Sequence, residues 1–167
     1  MFASHLAAVL LSAFALWSMR HEISERATTR FFWALPVLSA AAAAAILLVV
    51  SPGRRPELWI VAIGLGFAAG LGAGLALTPI KDFARKLVLI HRTWDGVAVT
   101  LGLLVVALTR LVTTDFMGRQ SHGFGVLGGV GAFLAAYLVG RLTTLQLYSA
   151  PKSIHLDMVE GERRRRN

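Results

Sequence analysis

Five histidines and no cysteine set the chemistry open to this chain of 167 residues. Without a thiol there is no disulfide, no thiol redox chemistry and no thiolate metal site. The imidazoles of His5, His21, His91, His122 and His155 remain. Two imidazoles on facing helices can ligate a haem iron; His21, His91 and His155 fall at or beyond the expected inner interface, whereas His5 and His122 both fall at the outer one. A haem between them would sit very shallow, and histidines alone near an interface are ordinarily solvated, so solvated side chains are the expectation for both. No His-x-x-x-His or Glu-x-x-His spacing occurs, and a helical metal centre therefore lacks its ligands. Gly-x-Ser-x-Gly is absent, and the glycines lie inside apolar runs without the Lys and Ser/Thr of a phosphate loop. The expectation is no catalytic residue, no metal and no cofactor.

Charge inside an apolar run is the other usual sign of function, because burying it is costly. Arg110 and Arg141 lie near the ends of their runs and can reach an interface along their apolar stems, so anchoring is expected of both. No Asp or Glu falls mid-run; Asp95 precedes the fourth run and Asp115 follows it, which speaks against a carboxylate proton relay.

Small residues carry the clearest spacing. Gly66, Gly70 and Gly74 recur every four residues, beside Gly64, Ala69, Gly72 and Ala73. Gly128, Ala132, Ala136 and Gly140 repeat the device, with Gly125 and Gly129 alongside, and Ser39 to Ala45 is small-sided too. Such rows let helix backbones approach closely in lipid. The expectation is that the second, third and fifth helices pack tightly together, with a groove or a dimer face as the functional alternative.

The elements that must position these residues follow from composition. A hydrophobic fraction of 56% exceeds what a soluble domain of this size hides in one core. Five apolar runs stand out: Phe2 to Trp17, completed by Ser18 or Met19, then Phe31 to Val50, Leu58 to Leu77, Gly96 to Val112 and Phe124 to Leu147. The predicted fold is all-α: a polytopic transmembrane bundle of five helices over residues 1–150, with a basic, disordered cytoplasmic tail over 151–167. Ser51 to Pro56 supplies turn chemistry for a tight antiparallel hairpin of the second and third helices.

Orientation comes from the cations. With the N-terminus outside, Arg20, Arg26, Arg30, Lys81, Arg85, Lys86, Arg92, Arg141, Lys152 and Arg163 to Arg166 fall on the cytoplasmic side, thirteen of the 17 Lys and Arg. Arg54, Arg55, Arg110 and Arg119 fall outside, so the positive-inside rule is met. A cleaved signal peptide would invert this tally, and nothing before Arg20 supplies its positive n-region. Trp17, Trp33, Trp59 and Trp94 fall near run ends, as interfacial aromatics do. The inner segment from Thr78 to Trp94 has two readings: a helix lying in the headgroup plane on Phe83, Leu87 and Ile90, or an ordinary basic loop. The net charge of +8 is explained by cations held on one membrane face, so lipid, another membrane protein or a second copy is the expected partner, and nucleic acid is not.

The layout resembles the CcdC-like family of small bacterial five-helix membrane proteins. The likeness rests on the Arg-rich entry to the second helix, the third helix from Gly64 to Gly74, the basic inner loop, Thr109-Arg110, Gly128-Gly129 and Gly140-Arg141, over about Arg26 to Tyr148. The second helix departs from it in carrying Pro36 alone where paired prolines are expected. The resemblance implies a bacterial inner-membrane location and, by the family name, a connection with cytochrome c biogenesis; it implies no activity and no catalytic residue. The functional expectation is a non-enzymatic accessory or assembly factor packing against a larger membrane partner. The alternative is a carrier of a small molecule or cofactor, haem included.

Overall fold

Runs without charge become helices because a helix bonds every backbone N–H and C=O within its own segment. The computed structural model describes residues 2–23, 28–51, 56–77, 80–82, 87–89, 93–117 and 124–147. Its helices are α1 (Phe2–Ser18), a single turn α2 (Arg20–Ile23), α3 (Arg30–Val49), α4 (Pro56–Ala76), α5 (Asp95–Leu111) and α6 (Phe124–Leu147). Helix α5 widens after Leu111 into a π-helical turn, Val112–Phe116, closed by the Met117 N–H donating to the Val112 carbonyl at 3.1 Å. Four stretches are long and apolar enough to cross a membrane: Phe32–Val49, Pro56–Ala76, Asp95–Phe116 and Gly125–Leu147. Helix α1, with 17 residues, is shorter; at about 1.5 Å per residue it reaches some 25 Å of a hydrocarbon layer about 30 Å thick.

The buried core joins Ala8, Ala15 and Met19 of α1, Val37, Ala40, Ala43 and Leu47 of α3, Leu103, Val106 and Ala107 of α5, and Leu138 of α6. Alanines dominate because small side chains bring helix axes close where lipid offers no hydrophobic drive. Helix α4 adds nothing to that core. Its buried positions are Gly66, Gly70 and Gly74, and it packs on α6 alone to any extent. A Cβ at Gly66 would enter the Phe133 carbonyl oxygen, one at Gly70 that of Tyr137, one at Gly74 the Thr144 hydroxyl, and one at Gly140 the Phe67 carbonyl. Residue numbers rise together along this contact, so α4 and α6 run parallel.

The expected tight hairpin of the second and third helices is not found. Helices α3 and α4 scarcely touch, and α6 lies against both. Turn chemistry is a sequence-local signal, whereas the glycine row of α4 is complementary to the backbone of α6, so the closer fit wins. The turn itself, 52–55, lies outside the described residues.

The segment between α4 and α5 also differs from the helical alternative. Within it Ile80–Asp82 (β2) and Leu87–Leu89 (β3) are extended and pair antiparallel, Ile80 opposite Leu89 and Lys81 opposite Val88. Thr28–Thr29 (β1) pairs with β3 on its other edge. The threonines and the Leu-Val-Leu run suit a pleated ribbon, and the pairing ties the connection before α3 to the connection before α5. Phe83 and Ile90 lie outside the described residues, as does the tail 151–167.

Candidate functional site

Buried ionisable side chains collect at the two ends of the bundle, whereas the mid-bundle hydroxyls of Ser12 and Ser39 donate to carbonyls of their own helices. At one end Arg141, on the last third of α6, is 2% exposed and Glu22, on the turn α2, is 1% exposed. Their pairing is bidentate: Arg141 Nη1 donates to Glu22 Oε1 at 2.7 Å and Nη2 to Oε2 at 3.2 Å. The planar guanidinium fork suits this geometry, which gives direction as well as charge. Arg141 Nε lies 3.0 Å from Asp95 Oδ2, at the first turn of α5. Tyr137, one turn before Arg141, donates its hydroxyl to the same Asp95 oxygen at 3.2 Å. Thr93 completes the cluster, accepting from Arg141 Nη2 at 3.1 Å and donating to Glu22 Oε2 at 3.2 Å.

A glycine makes room for this cluster. A Cβ at Gly96 would stand 2.5 Å from Glu22 Oε2 and 2.6 Å from Arg141 Nη1. Two elements thus converge on the guanidinium carried by α6: α2 through Glu22, and the start of α5 through Thr93 and Asp95, whose carboxylate Tyr137 of α6 also holds. Two carboxylates share one cation, and each buried charge has an opposite charge beside it, the condition under which charge is tolerated in a low-dielectric interior.

The opposite end holds a second set. His5, in the first turns of α1, is 1% exposed, and its Nδ1 donates to Asp115 Oδ2 at 2.5 Å. Asp115 belongs to the π-helical turn. The rings of Phe2 and Phe116 meet edge to face beside it, with centroids 6.4 Å apart. Arg110 is 1% exposed and donates through Nη2 to the Ser51 hydroxyl at 3.1 Å and the Val50 carbonyl at 3.3 Å, gripping the end of α3. Gly128 brings α6 to the same place: a Cβ there would stand 2.9 Å from Ser51 Oγ.

Several expectations are corrected here. Arg110 and Arg141 do not extend toward an interface; each is turned inward, because a polar partner within the bundle satisfies the guanidinium better than apolar surroundings along the stem. His5 is buried and carboxylate-bound, not solvated. His122 lies outside the described residues, and α1 packs on α3 and α5 with no extensive contact to α6, so the described packing does not bring helix one against helix five. Trp33 is buried against Leu145, whereas Trp17 and Trp94 are exposed. Among the described residues no group of three or more His, Asp or Glu could hold a metal ion.

Between the two ends, α3, α4 and α6 enclose an open groove of about 400 Å³ lined by Ala41, Ala44, Ile63, Phe67, Ala132 and Ala136, among others, and almost wholly apolar. It exists because α3 and α4 both lean on α6 without closing on each other. Gly64 and Gly72 lie on α4 with nothing within 4 Å of a would-be Cβ.

Glu22 escapes a reading of the sequence because it lies past the end of the first apolar run, where a charge looks like part of a loop. The signal that could have found it is the pair Asp95-Gly96 opposite a span arginine. Neither a family model, nor a curated protein, nor a solved structure matches the chain.

Proposed function

We propose that the chain is a non-enzymatic accessory or assembly factor of the bacterial inner membrane, spanning it five times with the N-terminus outside, and that it packs against a larger membrane partner. The observation that carries this reading is α4. It is held by its glycine row to α6 and leaves Leu58, Ile60, Val61, Leu65 and Leu75 exposed beside an apolar groove. The buried charges favour a structural role for both polar ends, since each ties two or three helices together and neither opens into a described pocket large enough for a substrate. Five crossings are supported by α1, which runs from His5 at one end of the bundle to Met19 beside Glu22 at the other. Outside orientation of the His5 end rests on the cation tally.

Substitutions where the structure is open test the reading. Gly64→Leu and Ala45→Leu add bulk to the groove: a Cβ at Gly64 meets nothing within 4 Å, and Ala45 is an exposed residue of the lining. Purified in mild detergent, both variants should remain monodisperse yet lose the membrane protein that co-purifies with the native chain. Retention of that protein at native stoichiometry by both variants defeats the proposal.

The second reading, a carrier of a small molecule or cofactor, is favoured by the groove's volume, which falls in the range of small-molecule sites, about 300–1,000 Å³. Native mass spectrometry showing an apolar small molecule displaced by Gly64→Leu would favour the carrier. A Soret band lost in His5→Ala or His122→Ala would favour haem, held apart from the groove, as the cofactor.

A further inference from the structure

The π-helical turn at the end of α5 has a property that neither reading uses. A π turn holds one residue more than the α turn it replaces, with hydrogen bonds closing over five residues instead of four. Here the Met117 N–H closes on Val112. Relaxed to α, it would close on Thr113, and each residue from the bulge onward would advance into the place now held by the next, about 100° of rotation and 1.5 Å of rise. Thr114 would then move toward the place of Asp115, and Asp115 toward that of Phe116.

We propose that this segment is a two-register switch in which Asp115 and Thr114 compete for the position opposite His5, and that docking of the first turn of α1 selects the register. Three observations converge on it. The described side-chain contacts that hold Asp115 and Phe116 in the present register both come from α1: the His5 hydrogen bond to Asp115 and the edge-on packing of Phe2 on Phe116. Thr114 stands ready, its hydroxyl oxygen buried and without a hydrogen-bond partner among the described residues. A threonine hydroxyl can accept from the imidazole in place of the carboxylate, so each register offers His5 a partner. The two registers differ in what they display. In the present one the carboxylate is inward and the Phe116 ring is 72% exposed; in the other the carboxylate takes the exposed place and the ring leaves it. A partner or lipid surface that prefers one face over the other then shifts the population and, reciprocally, the docking of α1.

Because the chain has no cysteine, paired cysteines report the register directly. Phe2→Cys with Phe116→Cys should cross-link efficiently in the otherwise native chain and in the conservative Asp115→Asn background, which keeps an acceptor for His5. In His5→Leu and in Asp115→Ala backgrounds the same cross-link should fall by about fivefold or more, the effect of roughly 1 kcal/mol between two states. Phe2→Cys with Asp115→Cys should then form the dominant link in the His5→Leu background. Undiminished linking of positions 2 and 116 in both backgrounds overturns the proposal. So does loss of that link in a folded variant without gain at 115, which would mean that α1 merely undocks.

Discussion

Glu22 and Arg141 sit together with almost no exposure, and the cost of separating them is asymmetric. Removing the carboxylate leaves a guanidinium buried beside the single acid Asp95, and breaking such a pair typically costs roughly 3–5 kcal/mol. Arg20, two residues earlier, stacks on Trp17 with its guanidinium 4.5 Å from the ring centroid and is exposed, so its contact is worth about 1 kcal/mol at most. Glu22→Ala should therefore destabilise the folded protein severely and Arg20→Ala mildly, as read by denaturation in detergent micelles. Equal effects would mean that the buried pair contributes no more than an exposed contact. Gly96→Ala tests the same cluster from its other side. The added methyl must displace the carboxylate or the guanidinium, so it should cost more than an alanine in a helix first turn ordinarily does; a neutral or stabilising effect would show that the ion pair has room to move.

Helix α4 shows what the glycines do. Gly66 and Gly64 are two residues apart on one helix, yet a Cβ at Gly66 enters the Phe133 carbonyl whereas one at Gly64 meets nothing within 4 Å. Helix propensity alone favours alanine over glycine at both by up to about 1 kcal/mol. Gly64→Ala should thus be neutral or slightly stabilising, while Gly66→Ala should cost about 1–3 kcal/mol by forcing α4 off α6. Thermal aggregation curves of the two variants separate the outcomes, and coincident curves would remove the close contact. The same logic places Gly72 with Gly64 and places Gly70, Gly74 and Gly140 with Gly66.

For the molecule as a whole, the proposed orientation is read by labelling. A cysteine introduced at Glu57 or Met117, at the His5 end, should react with an impermeant thiol reagent in intact cells, and one at Arg26 or Lys86 should react only after lysis. Reaction at Arg26 in intact cells would invert the proposed topology. Four membrane-length helices and their approximate limits were legible from the apolar runs alone, because twenty residues without charge have few other ways to satisfy their backbone. The rows of Gly66, Gly70, Gly74 and Gly140 were legible as close-approach surfaces from their four-residue spacing. Which helix each row meets was not, since spacing describes one helix and contact involves two; turn chemistry suggested α3 against α4, whereas α6 separates their main contacts. The polar ends were the least legible. Arg110, Arg141 and His5 look alike in sequence whether they reach outward or turn inward, and the choice depends on Ser51, Glu22 and Asp115 arriving from elements 59, 119 and 110 positions away. Local hydrophobicity determines where a chain forms helices, but the fate of a charge is set by whether distant backbone brings it a partner, and that is decided only when the helices pack.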